Sequence, residues 1–545
     1  MANPSLTNVR NVRFVLVHAA FRPLVNVSYA VDRAVWGYRP FGFHLTNVLL
    51  HMVVTVLLFA FLRAAMFDAA RKLADRAPLT RSQPPSTTRA ELYAAFTGAA
   101  LFAVHPLMTE AVAYVSGRSE LLCATWFLLT ILLARRAIVH GNVIAAAGAF
   151  ATGALALASK EVAAALPFVI LAYDWLLLSG TEAERHRRLW GLHAPLCVLL
   201  AVAAAYRVVL LQEAAAGMYQ PPLLSALTQA IVIWRYLRLA VWPVGQSIMH
   251  SVHHVDSPGD PLALVAVTGL LVLFLLAIRL RRTAPLLTFA TIWYFACIAP
   301  SSSVIALRES MAEHRAYLAT AGVCLVAASG VLRWGTARER THRAWVAYRF
   351  ALGGAIALLA LLTVARNAVW SSPVRLWREA TVRAAGMWEP HYALADVLRE
   401  AKDYAGAVPE YEAVIRVRPM DLNAHTNLGI CLAEIGRFEE AEAAFRRTLA
   451  IAPNFARGYT NLGALAFVRG DVAAARDAYQ EAIKRNPRNV LARMQLARIL
   501  ETSFQDYHAA ARMCGEARAL APSTPGVVEC VERNRKLAAS ADAGS

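Results

Sequence analysis

Two consecutive stretches decide the fold: residues 422–453 read LNAHTNLGICLAEIGRFEEAEAAFRRTLAIAP, and residues 456–487 read ARGYTNLGALAFVRGDVAAARDAYQEAIKRNP. They align with an offset of 34 residues, and the same offset extends to both sides. The recurring residues are Leu394, Leu428, Leu462 and Leu496; Pro419, Pro453 and Pro487; Ala407, Ala441 and Ala475; and Tyr411, Phe445 and Tyr479. This period predicts helix-turn-helix units stacked into an α-solenoid.

The predicted units are tetratricopeptide repeats, about four of them over residues 387–523. Their stack leaves a concave groove that suits an extended peptide. Asn427 and Asn461 occupy matching positions in successive repeats, and we expect them to bond the backbone of a bound peptide; solvent-facing amides are the alternative. The tail, residues 524–545, is predicted to be frayed.

The preceding two thirds have the composition of a membrane protein, since 58% of the whole chain is hydrophobic. The stretch 223–242 contains Arg235 and Arg238, so it is predicted to lie on the membrane surface or to re-enter. Residues 43–366 are therefore predicted to form a polytopic helical domain, followed by a connector at 367–386. A span needs roughly 20 apolar residues, and about ten stretches qualify: 43–64, 92–114, 120–138, 142–159, 161–179, 189–211, 261–280, 284–300, 314–334 and 347–366.

Positive charge predicts the orientation, because Lys and Arg are retained on the cytoplasmic side. Arginine-rich loops mark that side: 71–89, 135–136, 185–188, 279–282 and 333–343. Alternation then places the other loops outside: 1–42, 105–119, the turn at Lys160, 212–260, 301–313 and everything after 367. The repeats are thus predicted to lie in the periplasm of a bacterium, or in the endoplasmic reticulum lumen of a eukaryote.

The formal net charge of +18 does not indicate a nucleic-acid partner, because the excess lies largely in those loops without a basic, aromatic stripe. Seven cysteines without a CxxC pair indicate neither a zinc site nor a disulfide framework. His250, His253, His254 and Asp256 have ligand-like chemistry, but one acid in a long loop favours coincidence. We expect no cofactor and no metal.

Polar and ionisable residues are concentrated in the segments assigned to the external face. Such groups are costly at a membrane edge and are therefore candidates for function. Residues that merely ended helices would be shared by both faces, so a one-sided distribution predicts one site. The segments are Arg22-Pro23-Leu24, Phe41-Gly42-Phe43-His44 with Asn47 and His51, His105-Pro106 with Glu110-Ala111-Val112, Gly117-Arg118, Lys160-Glu161, and Glu313-His314-Arg315-Ala316-Tyr317.

In this order, with Pro167 and Tyr173-Asp174 and ahead of the repeats, these motifs resemble one family of membrane enzymes. It is the transmembrane and tetratricopeptide-repeat-containing (TMTC) group of protein O-mannosyltransferases and their bacterial relatives, in the GT-C glycosyltransferase class. The resemblance spans nearly the whole chain. It implies an all-α membrane domain that transfers a sugar, with mannose the expected one, from a polyprenyl-phosphate donor to a protein hydroxyl on the external side.

That reaction needs cations at the membrane interface to hold the donor phosphate. Four residues are predicted to do so: Arg315, Arg118, Lys160 and Arg22. A purely structural role is the alternative for two of them, since a tight turn between spans needs polar residues such as Lys160, and Arg22 next to a proline can shape its loop. His44, Asn47 and His51 share a helical face and are interpreted as packing contacts.

The acceptor hydroxyl also needs a base within hydrogen-bond reach. Members of the group carry an acidic pair in the first external loop, and this chain begins at sequence that resembles the part just after it. The first span and its acids are absent from this sequence, so we expect either that its start is misassigned or truncated, or that the chain is a short form that has lost activity. If the base comes from elsewhere, Glu110 beside His105 and Arg118 is the first candidate and Glu313 beside Arg315 the second. A helix-capping acid and a juxtamembrane salt bridge are the respective alternatives.

Two classes of function therefore stay open. One is a glycosyltransferase whose repeat groove presents the protein acceptor to the membrane site. The other is a catalytically inactive, membrane-anchored scaffold of tetratricopeptide repeats, which the missing acids favour. A transporter is disfavoured, because no paired, broken, ionisable helices occur in two matching halves.

Overall fold

The computed structural model describes residues 22–75, 89–211, 221–302, 309–336 and 342–544. Within these residues all regular structure is helical and no strand is present, which confirms the all-α fold. The chain divides into two compact units, Met1–Ser372 and Pro373–Ser545. Each unit has its own hydrophobic core.

The described part of the first unit is a helical assembly in which one long loop, residues 242–260, joins two of the helices. Its α-helices are α1 (Pro23–Trp36), α2 (Pro40–Asp75), α3 (Arg89–Ala103), α4 (Thr109–Ala113), α5 (Arg118–His140), α6 (Val143–Ser159), α7 (Leu166–Leu177), α8 (Glu182–Arg188), α9 (Ala194–Leu211), α10 (Pro222–Val241), α11 (Pro261–Arg279), α12 (Pro285–Ile298), α13 (Tyr317–Thr336) and α14 (His342–Trp370). Tighter 3₁₀ turns lie at Pro106–Met108, Val115–Gly117, Glu161–Ala165, Leu280–Arg282 and Glu313–Ala316. The part of segment 1–42 that is described is thus mostly helix α1, whereas a loop was expected.

Six helices among the described residues are long and apolar enough to cross a membrane, or seven if the bent pair Arg89–Ala103 and Pro106–Ala113 is one span. The expectation of about ten spans exceeds this count. Two of the expected spans form the shorter apolar helices α6 and α12, which at 1.5 Å per residue fall short of a hydrocarbon layer about 30 Å thick.

Helix α10 passes the same length and composition test, although its arginines predicted a surface segment. Both cationic side chains reach the loop that follows the helix. Arg235 donates to the Ser251 carbonyl at 2.5 Å, and Arg238 donates to the Val244 carbonyl at 3.1 Å. Long side chains that place their charge at the end of a helix lower the cost of a central arginine.

The core of the first unit is built around the 36-residue helix α2. Buried rings meet there: the centroids of Phe61 and Trp293 lie 5.0 Å apart, and those of Phe127 and Trp293 lie 5.4 Å apart. Gly98 and Gly322 let neighbouring helices approach closely, because an added Cβ would lie 2.9 Å from Ala328 Cβ and 2.8 Å from the Ala290 carbonyl, respectively.

The second unit is a stack of antiparallel helix pairs that begins with α15 (Pro373–Arg383). The pairs are α16 (Trp388–Glu400) with α17 (Tyr404–Val417), α18 (Leu422–Glu434) with α19 (Phe438–Ile451), α20 (Ala456–Val468) with α21 (Val472–Arg485), and α22 (Val490–Thr502) with α23 (Tyr507–Leu520). The 34-residue period has a direct packing cause, because the rings of Phe445 and Tyr479 lie over Gly429 and Gly463, where a Cβ would clash.

The predicted connector, residues 367–386, is divided between the units. Trp370 lies in the first unit against the ring of Tyr114, with centroids 6.1 Å apart. Trp377, on α15, packs against the core of the repeats. The boundary therefore falls at residues 372 and 373.

Two expectations about the end of the chain are wrong. Residues 525–544, expected to be frayed, form helix α24 (Pro525–Gly544), which packs on α23. Cys514 and Cys530 form a disulfide between these two helices, with Cα atoms 5.7 Å apart, although the cysteine pattern indicated no disulfide. The sequence hid this pair because its spacing matches no motif, and only the packing of the last helix brings the thiols together.

Candidate functional site

The turn between α3 and α5 is shaped by His105 and Gly117. His105 Nδ1 accepts from the Leu107 amide at 3.2 Å, and its Nε2 donates to the Ala240 carbonyl at 3.1 Å. Gly117 lies so close to the chain before it that an added Cβ would be 2.3 Å from the Ala111 carbonyl oxygen. Only glycine permits this approach, which closes the turn around helix α4 and fixes where Arg118 begins α5.

Glu110, the first candidate base, is a buried residue of α4. Its Oε1 lies 2.7 Å from His314 Nδ1, and its Oε2 accepts from the His314 backbone amide at 3.1 Å. The carboxylate therefore binds one residue twice, once through the ring and once through the main chain. This contact joins α4 to the turn Glu313–Ala316 and is not a helix cap.

Glu313, the second candidate, is buried by the loop that follows α10. Its carboxylate accepts from the Gln246 side chain at 2.8 Å and the Ser247 amide at 2.7 Å, and it lies 2.8 Å from His250 Nε2. The sequence favoured a coincidental loop histidine at position 250, so this contact was missed. The one signal for His250 is its position in the loop that contains Gln246 and Ser247.

The ion pair between Glu313 and Arg315, the alternative to a catalytic role, is absent among the described residues. Arg315 instead donates to the Glu309 carbonyl at 2.8 Å and stays partly exposed. Because His314 follows Glu313 directly, the pairs Glu110–His314 and Glu313–His250 share one turn. Tyr236 supports that turn by bonding both the amide and the carbonyl of Ala312, each at 2.9 Å.

Arg118, a predicted phosphate ligand, is fully buried and already paired. Its guanidinium lies 2.5 Å from the Asp32 carboxylate and donates to Asn47 Oδ1 and the Phe43 carbonyl, each at 2.9 Å. Asn47 also donates to the carbonyls of Val112 and Tyr114, at 3.1 and 3.3 Å. Arg118 thus holds α1 and α2 to the turn, and a role at the donor phosphate would require it to leave these partners.

Lys160 is likewise paired inside the protein, in a buried salt bridge with Glu120. Lys160 would have to break that bridge to reach a phosphate. Arg22 lies 3.2 Å from Glu161, and both side chains remain partly exposed, at 40% and 30%. Of the four predicted cations, only Arg22 and Arg315 are therefore accessible.

The opposite end of the unit holds a second polar network, which the one-sided distribution did not predict. Arg135 donates twice to the Asp68 carboxylate, at 2.6 and 2.7 Å, and the Tyr173 hydroxyl donates to the same group at 2.6 Å. Asp68 lies 21 residues after Asn47 on α2, about 30 Å along the helix at its usual rise. Tyr173 is part of the resemblance, yet it lies far from the candidate base.

In the repeats, the two predicted groove amides differ. Asn427 is buried and donates weakly to the Tyr392 hydroxyl and to Asp396, each at 3.4 Å. The Asn461 amide nitrogen has no hydrogen-bond partner within the described residues. Asn461 is therefore the one of the two whose donor is unsatisfied, although that nitrogen is buried from solvent.

Known proteins similar to this chain confirm the repeats. A tetratricopeptide-repeat family profile matches residues 392–454 and 460–525. Three curated relatives are named protein O-mannosyl-transferases: TMTC2 of Mus musculus is 33% identical over 115 residues, which cover 21% of this chain and 11% of the relative. TMTC1 of Homo sapiens is 30% identical over 178 residues, which cover 30% of this chain and 17% of the relative. Human TMTC4 is 38% identical over 120 residues, which cover 21% of this chain and 14% of the relative.

The chain thus spans less than a fifth of the length of these curated relatives. Among solved structures, a MamA fragment from Desulfovibrio magneticus RS-1 is 24% identical, covering 28% of this chain and 85% of its own, with a TM-score of 0.26. YrrB, a tetratricopeptide-repeat protein, is 14% identical, and the match covers 32% of this chain and 89% of YrrB, with a TM-score of 0.26. With at least six helices among its described residues that are long and apolar enough to cross a membrane, this chain is a multi-pass membrane protein, and it carries tetratricopeptide repeats.

Proposed function

We propose that the chain is a GT-C-type glycosyltransferase that moves a sugar, mannose by the names of its relatives, from a polyprenyl-phosphate donor to a protein hydroxyl on the non-cytoplasmic side. One observation carries the proposal: Glu110, Glu313 and Arg315 converge on the turns beside α4. Their partners, His250 and His314, complete the same cluster. A carboxylate–histidine pair next to an accessible guanidinium has the chemistry that this transfer needs.

The reaction requires a base for the acceptor hydroxyl and a cation for the leaving phosphate. The two buried carboxylates, Glu110 and Glu313, supply the negative charge on which the base depends. The planar guanidinium of Arg315 can bind two phosphate oxygens at once, and partly exposed Arg22 is the second phosphate ligand in this proposal. No metal and no cofactor take part, so we expect EDTA to leave transfer unchanged.

The repeat groove binds the protein acceptor in this proposal. Tetratricopeptide stacks present a concave surface to extended peptides, and the buried Asn461 amide has an unsatisfied donor that a bound peptide could reach after a small side-chain movement. The Cys514–Cys530 disulfide favours an oxidising compartment, the periplasm or the endoplasmic reticulum lumen, and it supports this placement independently of the arginine pattern.

The test supplies labelled polyprenyl-phosphate mannose and acceptor protein to membranes that contain the full-length chain. We expect label to enter the acceptor, and Glu110→Gln and Arg315→Ala to reduce it by about 100-fold or more. Arg187→Ala, an exposed arginine on α8, is the matched control and should transfer normally. Equal labelling by native protein and by both site variants would remove these residues from the reaction.

The acceptor role of the groove has its own test. A chain that ends near residue 386 should keep donor binding and lose transfer to a protein acceptor. Unchanged transfer to protein by this shortened chain would reject the groove as the acceptor site.

A second candidate function is an inactive membrane-anchored scaffold. One observation favours it: Arg118, Lys160 and Arg22 are all ion-paired within the protein, as expected of residues that only hold the fold together. A native chain that binds peptides through its repeats, yet transfers no label at saturating donor, would select the scaffold.

A further inference from the structure

We infer that His314 takes the proton from the acceptor hydroxyl and that Glu110 acts by positioning His314. This inference rests on the proposed glycosyltransferase function and assigns the base within its site. It replaces Glu110 itself as the group that touches substrate.

The carboxylate of Glu110 is already occupied. Both of its oxygens contact His314, at 2.7 Å to the ring and 3.1 Å to the backbone amide. The Glu110 side chain is only 5% exposed, whereas the His314 side chain is 21% exposed. An acceptor hydroxyl that approaches from solvent therefore meets the imidazole before it can reach the carboxylate.

Glu110 also fixes the tautomer of His314. An ionised carboxylate can only accept hydrogen bonds, so the ring nitrogen facing Glu110, Nδ1, carries the proton. The opposite nitrogen, Nε2, then presents a lone pair, and no described residue forms a hydrogen bond to it. A carboxylate that bonds one ring nitrogen also orients the ring, so that the other nitrogen faces away from it.

Two other histidines of the first unit, His105 and His51, are not free to act in this way. His105 has both ring nitrogens bonded, to the Leu107 amide and the Ala240 carbonyl. His51 is bonded through Nδ1 to the Tyr317 hydroxyl at 2.7 Å and through Nε2 to the Ala103 carbonyl at 3.1 Å.

His250 resembles His314 but is a weaker candidate. Its partner Glu313 is shared with Gln246 and Ser247, which divides the charge of that carboxylate among three donors. The His250 side chain is also less accessible, at 11% against 21% for His314. We therefore assign the proton transfer to His314.

The transfer balances with these groups alone. A lone pair of the acceptor oxygen forms the bond to the anomeric carbon while the acceptor proton moves to His314 Nε2. The bond between that carbon and the phosphate oxygen breaks, and its electron pair leaves with the phosphate beside Arg315. One base suffices for this single displacement with inversion, and His314 returns its proton to water.

The kinetic test compares His314→Gln, Glu110→Gln and Glu110→Asp in full-length protein with polyprenyl-phosphate mannose as donor. We expect His314→Gln to lower kcat by about 100-fold or more with the donor KM unchanged. Glu110→Gln should lower kcat while Glu110→Asp restores part of it, a rescue that lost folding would not produce. His253→Gln is the control, because the partly exposed His253 pairs with Asp260, away from His314, in the loop that follows α10.

Retention of native kcat by His314→Gln would overturn the inference while leaving the proposed function intact. A second readout does not need activity: diethylpyrocarbonate attacks the free nitrogen of neutral imidazole, and mass spectrometry locates the adduct. We expect modification of His314 and none of His51 or His105. An unreactive His314 would overturn the inference, whether or not the native chain transfers sugar. Failure of the native chain to transfer sugar would instead overturn the proposed function.

Discussion

Gly117 shows, at the scale of single residues, how the absence of a side chain sets the candidate site. We predict that Gly117→Ala is destabilising by about 1–3 kcal/mol, because its Cβ would lie 2.3 Å from a backbone oxygen that cannot move aside. Gly330→Ala is the matched control, since a Cβ there meets nothing within 4 Å. Thermal unfolding of the full-length protein in detergent measures the difference, and equal midpoints would show that the turn relaxes freely.

Lys402 occupies a backbone position that suits glycine. Its φ is +63°, and the residues 34 and 68 positions later, Gly436 and Gly470, adopt φ of +80° and +82°. We predict that Lys402→Gly stabilises the first repeat by about 1 kcal/mol, because a side chain in the left-handed region is strained. Hydrogen exchange of α16 and α17 should slow in this variant. Faster exchange would mean that the lysine side chain contributes more than the strain removes.

The candidate site was predictable as a set of segments and not as a set of contacts. Glu110, Glu313 and Arg315 lie near one another, as their motifs indicated. The partner of Glu313, His250, lies 63 residues away, and only the folded loop reveals it. Sequence also cannot distinguish a free cation from one such as Arg118, whose partner Asp32 comes from another helix.

Tyr479 allows a prediction at the scale of an element, helix α21. Burial raises the pKa of Tyr479 from 10.0 to about 12, against the opposing charge of Arg498. Because the folded state holds this proton more tightly, its contribution to stability is complete below pH 10 and is lost as the pH rises towards 12. The free energy of unfolding of the repeats, measured with urea, should therefore fall less with rising pH in Tyr479→Phe than in the native chain. Parallel pH profiles would contradict the assignment.

Helix α24 depends on its link to α23. We predict that Cys530→Ser loosens α24 by about 3 kcal/mol, the value expected for a disulfide that closes a loop of this size. Hydrogen exchange over residues 525–544 should rise, with exchange in α16 as the unaffected internal reference. An unchanged α24 would show that packing alone holds it.

Helices of the repeats were predictable because each unit repeats its own packing. Gly429 beneath Phe445 recurs as Gly463 beneath Tyr479, so the period in sequence is the period of the contacts. Helix α1 was missed because the segment was interpreted only as a loop between spans. Helix α10 was misjudged because the reach of its arginines beyond the helix end is a property of the folded loop.

At the scale of the whole molecule, the proposed orientation is open to a labelling test. We predict that a membrane-impermeant thiol reagent applied from the external side modifies Ser257→Cys and Ser503→Cys and leaves Arg187→Cys unmodified. All three positions are exposed, so access depends on the compartment. Labelling of Arg187→Cys together with protection of Ser503→Cys would show that the orientation is the reverse of the one proposed.

Charge counting and periodicity predicted the two parts of the molecule and its all-helical nature. They failed on the distribution of polar residues, because the network of Asp68, Arg135 and Tyr173 lies at the other end of the first unit. Such a network cannot be predicted from the sequence, because each polar group is bonded to a partner on another helix that is distant in the chain.

The link between Cys514 and Cys530 also bears on how the protein is made. Cytosolic glutathione and thioredoxin keep thiols reduced, so under the proposed placement of the repeats the final helix is fastened only once it reaches an oxidising compartment. Material prepared in a reducing extract would therefore lack this disulfide. The reduced form is heavier by two hydrogen atoms, so its intact mass distinguishes it from the oxidised form.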